Sequence, residues 1–460
     1  MGILTVSVTD FGAVPYIEQQ QTDAFQKAID YCFEKGGGEV QVPEGSFVVG
    51  DIRLRSNITL HLMENAVILG SLNPKAYQHI NEDKVQPLPP LENTRLRWLS
   101  PWQWAILKGQ YKAHLYSVGS YWNYGIIRAA YAENIAIIGE KGSKIDGRNI
   151  YDPEGEEFYR GPHAVNMHHC KNVRFEGYAV ENSSNWAHAI FQSENVEFKN
   201  LTVEGGHDAL HVRCCKNVEI DNCRLITGDD CVAGFGNLNV HINNCYISSA
   251  CSAFRFGGAN ILIENCEVYA PCKYPMRGTL PMADRMSHTL DCTEKGRHNM
   301  LCFFTYFVSD DLPALSEQGK ITVKNCTVIG ADKFFHLNLS GNEAWQRGNP
   351  PTDICFENIK AENISGGICA YGNGKVPFEM TFKNVEYSVR EGYEKEPFML
   401  TANFGKLELD NVKVTGYNGN AFIKGWSEKG DIVLNDFECE NIKDGEFYVL
   451  ANEEFKCRPI

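Results

Sequence analysis

A short phrase of alternating apolar and polar positions recurs along the chain. It begins at Asn172 (NVRFEG), Asn195 (NVEFKN), Asn217 (NVEIDN), Asn239 (NVHINN) and Asn260 (NILIEN), at intervals of 21 to 23 residues. An earlier copy starts at Asn134, and later ones at Lys320, Asp353, Glu379, Lys406 and Asp431. Period-two alternation is that of a strand with one buried face, and the β-branched bias of the phrase fits. One such unit cannot bury its apolar side alone, so a repeat of roughly 20 to 25 residues marks a solenoid. Leucine-rich repeats share the period but need Leu at fixed offsets and a helical segment per repeat, and neither is present. The pattern predicts an all-β parallel β-helix with coils about 4.8 Å apart, right-handed by the rule for parallel crossovers.

Polar residues recur with the same step. Asn200, Asn222, Asn244 and Asn265 fall about one coil apart, as do Cys223, Cys245 and Cys266. Turn asparagines can satisfy orphaned backbone groups and bond to one another up a stack. The Cys column reads as small buried hydrophobes. Over residues 22–35 the rhythm changes: Phe25, Ala28, Ile29, Cys32 and Phe33 follow the spacing of an amphipathic helix. Thr22 is its expected N-cap and Gly36 its terminator. Such a helix would cover the open edge of the first coil, with strands following around 40–42, 47–49 and 58–62. Three stretches break the repeat, at 77–122 (with Trp98, Trp102 and Trp104), 150–162 and 271–316, and are expected to line a binding face. Nothing resembles a linker, so a single domain over 1–460 is expected.

Carboxylates fall in this register. Asp208 and Asp230 are 22 residues apart, one coil, and so are His207 and Asp229. A lone Asp at a turn commonly bonds its own backbone. Three acids converging on one patch repel one another and serve folding poorly, but they suit glycoside hydrolysis, where one carboxyl protonates the leaving oxygen and another activates water. By strand alternation His211 points away from the interior between Leu210 and Val212, and Arg255 does so between Phe254 and Phe256. Both are candidate substrate-binding residues, with His207 and with Trp186, one coil before Asp208, as a sugar-stacking candidate. His188, on the same rung as Trp186, is expected to be structural. His168 and His169 are adjacent on a strand and point to opposite faces, so no metal site is expected of them. Lys273, Arg277, Arg285, His288, Arg297 and His298 in the last insertion either reach over the groove or balance the acidic scaffold.

Charge narrows the partners. The formal net charge is −15, which argues against nucleic acid, whose binding rests on phosphate neutralisation. No apolar run approaches the roughly 18 residues of a membrane span, and residues 1–10 lack the pattern of a signal peptide. A cytoplasmic chain is therefore expected unless it has been trimmed, its 17 Cys being thiols and no CxxC pair suggesting zinc. No cofactor is expected, and the expected partner is an oligosaccharide.

The sequence resembles glycoside hydrolase family 28, the polygalacturonases and their relatives, over about 9–267. Asp10-Phe-Gly-Ala13, Thr22-Asp-Ala, Gly36-Gly-Gly and Val42-Pro-Glu-Gly45 look like the shared opening of pectin-acting β-helix enzymes, and Asn182-Ser-Ser-Asn-Trp186 like the segment before the catalytic coils. The family's Asn-Thr-Asp-Gly motif aligns with Gly206-His207-Asp208-Ala209, and its Asp-Asp pair with Asp229-Asp230. The resemblance implies Asp229 as general acid, with Asp208 and Asp230 holding the attacking water in an inverting mechanism. The family's Gly-His-Gly motif is replaced by Ser249-Ala-Cys251-Ser252, and its uronate-binding Arg-Ile-Lys has no obvious counterpart. Arg255 is a candidate replacement. The reading is a glycosidase on a polysaccharide-derived oligosaccharide, exo-acting where the insertions close the groove into a pocket. Its rival is a lyase or epimerase on the same scaffold, with the acids as Ca²⁺ ligands and Arg255 as base. A third possibility is a carbohydrate-binding or structural β-helix.

Overall fold

The computed structural model describes residues 3–77, 124–153, 156–287, 294–308, 319–340, 343, 346, 348–428, 430–442 and 447–451. The tryptophans at 98, 102 and 104, and His288, lie outside them. The described chain is a parallel β-helix: every recorded strand ladder is parallel and joins a strand to its counterpart about one repeat further on. It divides into two compact units, residues 1–229 with 274–296, and residues 230–273 with 297–460. Among the described residues no helix is long and apolar enough to cross a membrane.

In the first unit each regular coil carries three strands. One coil runs through His188–Phe191, Glu194–Lys199 and Thr202–Gly205, and the next through Leu210–Arg213, Lys216–Asp221 and Arg224–Thr227. Their ladders hold a constant offset of 22: His188 pairs with Leu210, Val196 with Val218 and Gly205 with Thr227. The alternating Val and Ile of each phrase supply the interior, where Val196, Phe198, Val218 and Ile220 are buried. In the second unit the strands are longer. Ser252–Glu264 pairs with Val232–Asn243 on one side, and with Cys302–Tyr306 and Ile321–Ile329 on the other.

The asparagine opening each phrase makes the bend between strands. In the first unit Asn57, Asn134, Asn172, Asn195 and Asn217 all sit at φ between +55° and +62°, a left-handed conformation that Asn tolerates better than other side chains. Their amides form a ladder, each Nδ2 donating to the Oδ1 of the coil before at 2.8 to 2.9 Å. The post-strand column behaves likewise where Asn222 donates to Asn200 at 2.7 Å. In the second unit Asn265 donates to Asn243 rather than to the expected Asn244, a one-residue change of partner at the strand end. The Cys266 and Cys326 thiols each donate to the carbonyl two residues back, at 3.2 Å, so the thiol column continues by one member.

The helix runs Thr22–Glu34 and packs Phe25 edge-on against Phe47. Two details differ from expectation and one agrees. The N-cap is Gln21, without a side-chain cap, because the Thr22 hydroxyl is taken by the backbone N–H of Gly50 at 2.7 Å. Phe33 is exposed, covered on one face by the Arg55 guanidinium at 5.3 Å. Gly36 is in the left-handed conformation, φ +97°, as a terminator requires.

Candidate active site

In the first unit the site grows from the strand Leu210–Arg213. Leu210 and Val212 enter the core, so His211 and Arg213 face the other way, as alternation demands. They are nevertheless buried, with 1% and 3% of their surface exposed, because Trp186 lies over them. The indole stacks on His211 with ring centroids 3.6 Å apart and planes 11° from parallel. The Arg213 guanidinium sits 5.0 Å from the Trp186 ring and 5.7 Å from that of Phe191. Trp186 and His211 therefore pack on each other, and Trp186 is itself only 5% exposed. Asp208, three residues before His211, accepts a hydrogen bond from His211 Nδ1 at 2.7 Å, and Arg213 Nε donates to His211 Nε2 at 2.6 Å.

Carrying the Gly205–Thr227 pairing two residues on brings His207 level with Asp229. Asp229 keeps 14% of its side chain exposed, and its Oδ2 lies 3.4 Å from Arg160 Nη2. Arg160 is otherwise held by Glu157 and by Asn185, each at 3.3 Å. His207 is buried, and its Nδ1 has no hydrogen-bond partner among the described residues. Burial, reinforced by Arg160, Arg277 and His163, holds it well below the usual imidazole range, so it is neutral.

A cationic group faces this patch; Arg277 and Arg285 are among the insertion residues expected to reach over the groove or balance the scaffold, while the chain pattern does not mark Arg160. Tyr159 has the guanidinium of Arg160 at 5.9 Å and that of Arg285 at 5.7 Å from its ring, with the His207 ring 6.0 Å away. Arg277 donates to Asn149 Oδ1 and to the carbonyls of Arg285 and Ser287, and burial lowers it to about 10. The first and last of these arginines come from insertions more than a hundred residues apart, so no local motif announces them; the one available signal was that both insertions carry Arg beside an acidic scaffold. His188 is structural, as expected. It meets the Tyr178 hydroxyl at 2.9 Å in the core, and burial lowers it to about 4.

In the second unit Asp230 Oδ1 accepts from the Ser252 backbone N–H at 3.0 Å, and its Oδ2 lies 3.6 Å from Arg255 Nη1. Phe254 and Phe256 are buried while Arg255 keeps 27% of its side chain exposed over the Phe307 ring, at 4.1 Å. Of the other insertion residues here, Arg297 donates twice to the Ala250 carbonyl and His298 meets the Cys272 carbonyl. Both tie the insertion to the coil.

The family model for glycosyl hydrolases family 28 matches residues 106–251, which include Asp208, Asp229 and Asp230. A probable polygalacturonase of Vitis vinifera is 25% identical over 243 residues, half of this chain and 44% of its own. An exo-poly-alpha-D-galacturonosidase of Dickeya chrysanthemi is 39% identical over 72 residues, 16% of this chain and 12% of its own. The chain thus spans less than half the length of either relative. Among solved structures, the family 28 exopolygalacturonase of Yersinia enterocolitica superposes with a TM-score of 0.61 over 96% of this chain and 79% of that one, at 17% identity. That likeness establishes the right-handed parallel β-helix.

Proposed function

We propose that this chain, a divergent protein of the glycoside hydrolase family 28 type, hydrolyses a glycosidic bond in a pectin-derived oligosaccharide. The observation that carries the reading is the contrast between two carboxylates of the first unit. Asp208 is buried and accepts a hydrogen bond from the His211 imidazole. Asp229 keeps an exposed edge beside neutral His207. Paired carboxylates in unlike settings are what acid–base cleavage of an acetal needs. In the assignment that the resemblance supports, Asp229 gives its proton to the leaving oxygen. Asp208 takes up the proton that water loses as its oxygen bonds to the anomeric carbon and the bond to the leaving oxygen breaks.

Arg160 and Arg285, around Tyr159 in the first unit, favour an anionic sugar over a neutral one. Arg255 is proposed to contact substrate directly. His211 and Trp186 enter beneath the surface instead. His207 is as buried as they are, and its ring lies under the patch rather than on it. Inversion at the anomeric carbon and exo action complete the reading.

The test is a panel of oligosaccharides, uronate-containing and neutral. Cleavage confined to the uronates, with monomer or dimer released first and the product's anomeric configuration inverted by NMR, is the expected result. Cleavage of neutral sugars alone would remove the arginines from substrate recognition. An unsaturated product absorbing in the ultraviolet would replace hydrolysis by elimination.

A further inference from the structure

Asp208, His211 and Arg213 form a continuous chain of hydrogen bonds in the first unit. Arginine Nε is only a donor. Its 2.6 Å contact therefore requires a lone pair on His211 Nε2, which leaves the imidazole proton on Nδ1. That proton points along the 2.7 Å contact to Asp208 Oδ2. A second proton on His211 would set two donors against each other, so Arg213 keeps the ring neutral and in one tautomer. Trp186 and Phe191 close the chain off from solvent, and both accept the Arg213 cation over their faces. The register partners of His211 and Arg213 on the strand before are Ala189 and Phe191, neither charged. Among the described residues, the titratable groups nearby include His163 beside Trp186, His168 stacked on Phe191, Cys214 next to Arg213, and His207, Arg160 and Asp229 around the neighbouring turn; Asp230 follows Asp229 in the chain. His168 is kept neutral by burial.

We propose that His211 and Arg213 are positioning residues for Asp208: Arg213 fixes the His211 tautomer, and His211 in turn fixes the orientation of the Asp208 carboxylate and keeps it an acceptor. The role rests on the hydrolase reading above, in which Asp208 handles the attacking water. It assigns to His211 a task other than direct contact with sugar. It also gives a reason for the buried Arg between Trp186 and Phe191: without a fixed donor at Nε2, the imidazole can flip or charge, and the carboxylate loses its orientation.

Two measurements test it, one of which needs no substrate. With 15N-labelled imidazoles, the His211 signal, assigned by its loss in His211→Gln, should be that of a neutral ring protonated at Nδ1 from pH 5 to pH 8. In Arg213→Met the same ring should take up a second proton within that range, and Arg213→Lys should restore the neutral ring in part. On an oligogalacturonide, Arg213→Met should lower kcat by about 10- to 100-fold with KM unchanged and the acidic limb of the pH–rate profile displaced, at unaltered secondary structure. A wild-type ring protonated at Nε2, or identical His211 titration in wild type and Arg213→Met, would overturn the proposal whether or not sugar is cleaved. If Arg213→Met does not fold, the wild-type tautomer decides. The predicted tautomer in a protein that cleaves no uronate would sink the hydrolase reading and leave the Arg213–His211–Asp208 chain standing.

Discussion

Arg160 reaches from the 150–162 insertion to within 3.4 Å of Asp229 Oδ2, while Glu157 and Asn185 hold its other nitrogens. An insertion that interrupts the repeat thereby delivers a fixed cation to the carboxylate proposed as general acid. The planar fork is what lets one side chain serve three partners, and an ammonium cannot reproduce it. Arg160→Lys should therefore lower kcat/KM on an oligogalacturonide by about 10- to 100-fold, with a smaller change in melting temperature than Arg160→Ala. Steady-state kinetics beside a thermal melt checks this. Unchanged kinetics in Arg160→Lys would reduce the residue to a brace for its loop.

Trp186 should behave as a core residue. Its stacking on His211 and its burial leave little ring to offer a sugar. Trp186→Ala should cost about 3 to 5 kcal/mol of stability, read from denaturant unfolding. Trp186→Phe should retain most of the stability and leave KM unaltered. A large rise in KM in the folded Phe variant would return Trp186 to the substrate-facing surface.

The asparagine ladder supports a prediction with two arms. Asn195 is left-handed, donates to Asn172 at 2.8 Å and accepts from Asn217 at 2.9 Å. Asn195→Ala should lose about 2 kcal/mol, from a strained backbone together with two amide bonds. Asn195→Gly, which relieves the backbone and loses only the amides, should lose about half as much. Equal losses would mean that the turn conformation contributes nothing.

Much of this was legible because the repeat is physical. A strand that must bury one face and stack on its neighbour shows period two within a unit and 22 residues between units, and from that follow the coils, the Asn and Cys columns and the level placement of His207 and Asp229. Alternation also gave the correct facing of His211 and Arg255. It does not tell whether an outward side chain stays open. His211 and Arg213 point away from the core and are still buried, because Trp186, a coil earlier, folds over them. Arg160 was illegible for a different reason. It sits in an insertion with no periodicity, and only the closed chain shows that it shares the Tyr159 ring with Arg285 of the later insertion. Thr22 missed its capping role because the Gly50 backbone, distant in sequence, competes for its hydroxyl.

Acid should weaken the fold through its buried imidazoles. In the unfolded chain a histidine titrates near 6.5, whereas burial lowers His188 to about 4. Between those values the unfolded state takes up a proton that the folded state refuses. Stability from this source is complete above pH 6.5 and declines as pH falls towards 4, by on the order of 3 kcal/mol. His168 and His207 are lowered in the same direction and add to it. His188→Gln, which cannot charge, should move the midpoint of acid unfolding to lower pH relative to its own stability at pH 7. An unmoved midpoint would show that other groups control acid unfolding.

The central claim is tested most directly by the rate of reducing-end formation from a defined oligogalacturonide, in wild type and in Asp229→Asn of equal melting temperature. The account predicts turnover by the wild type and a fall of about three orders of magnitude or more in the variant, with substrate binding retained. Equal rates in the two proteins, or tight binding with no turnover in either, would contradict it.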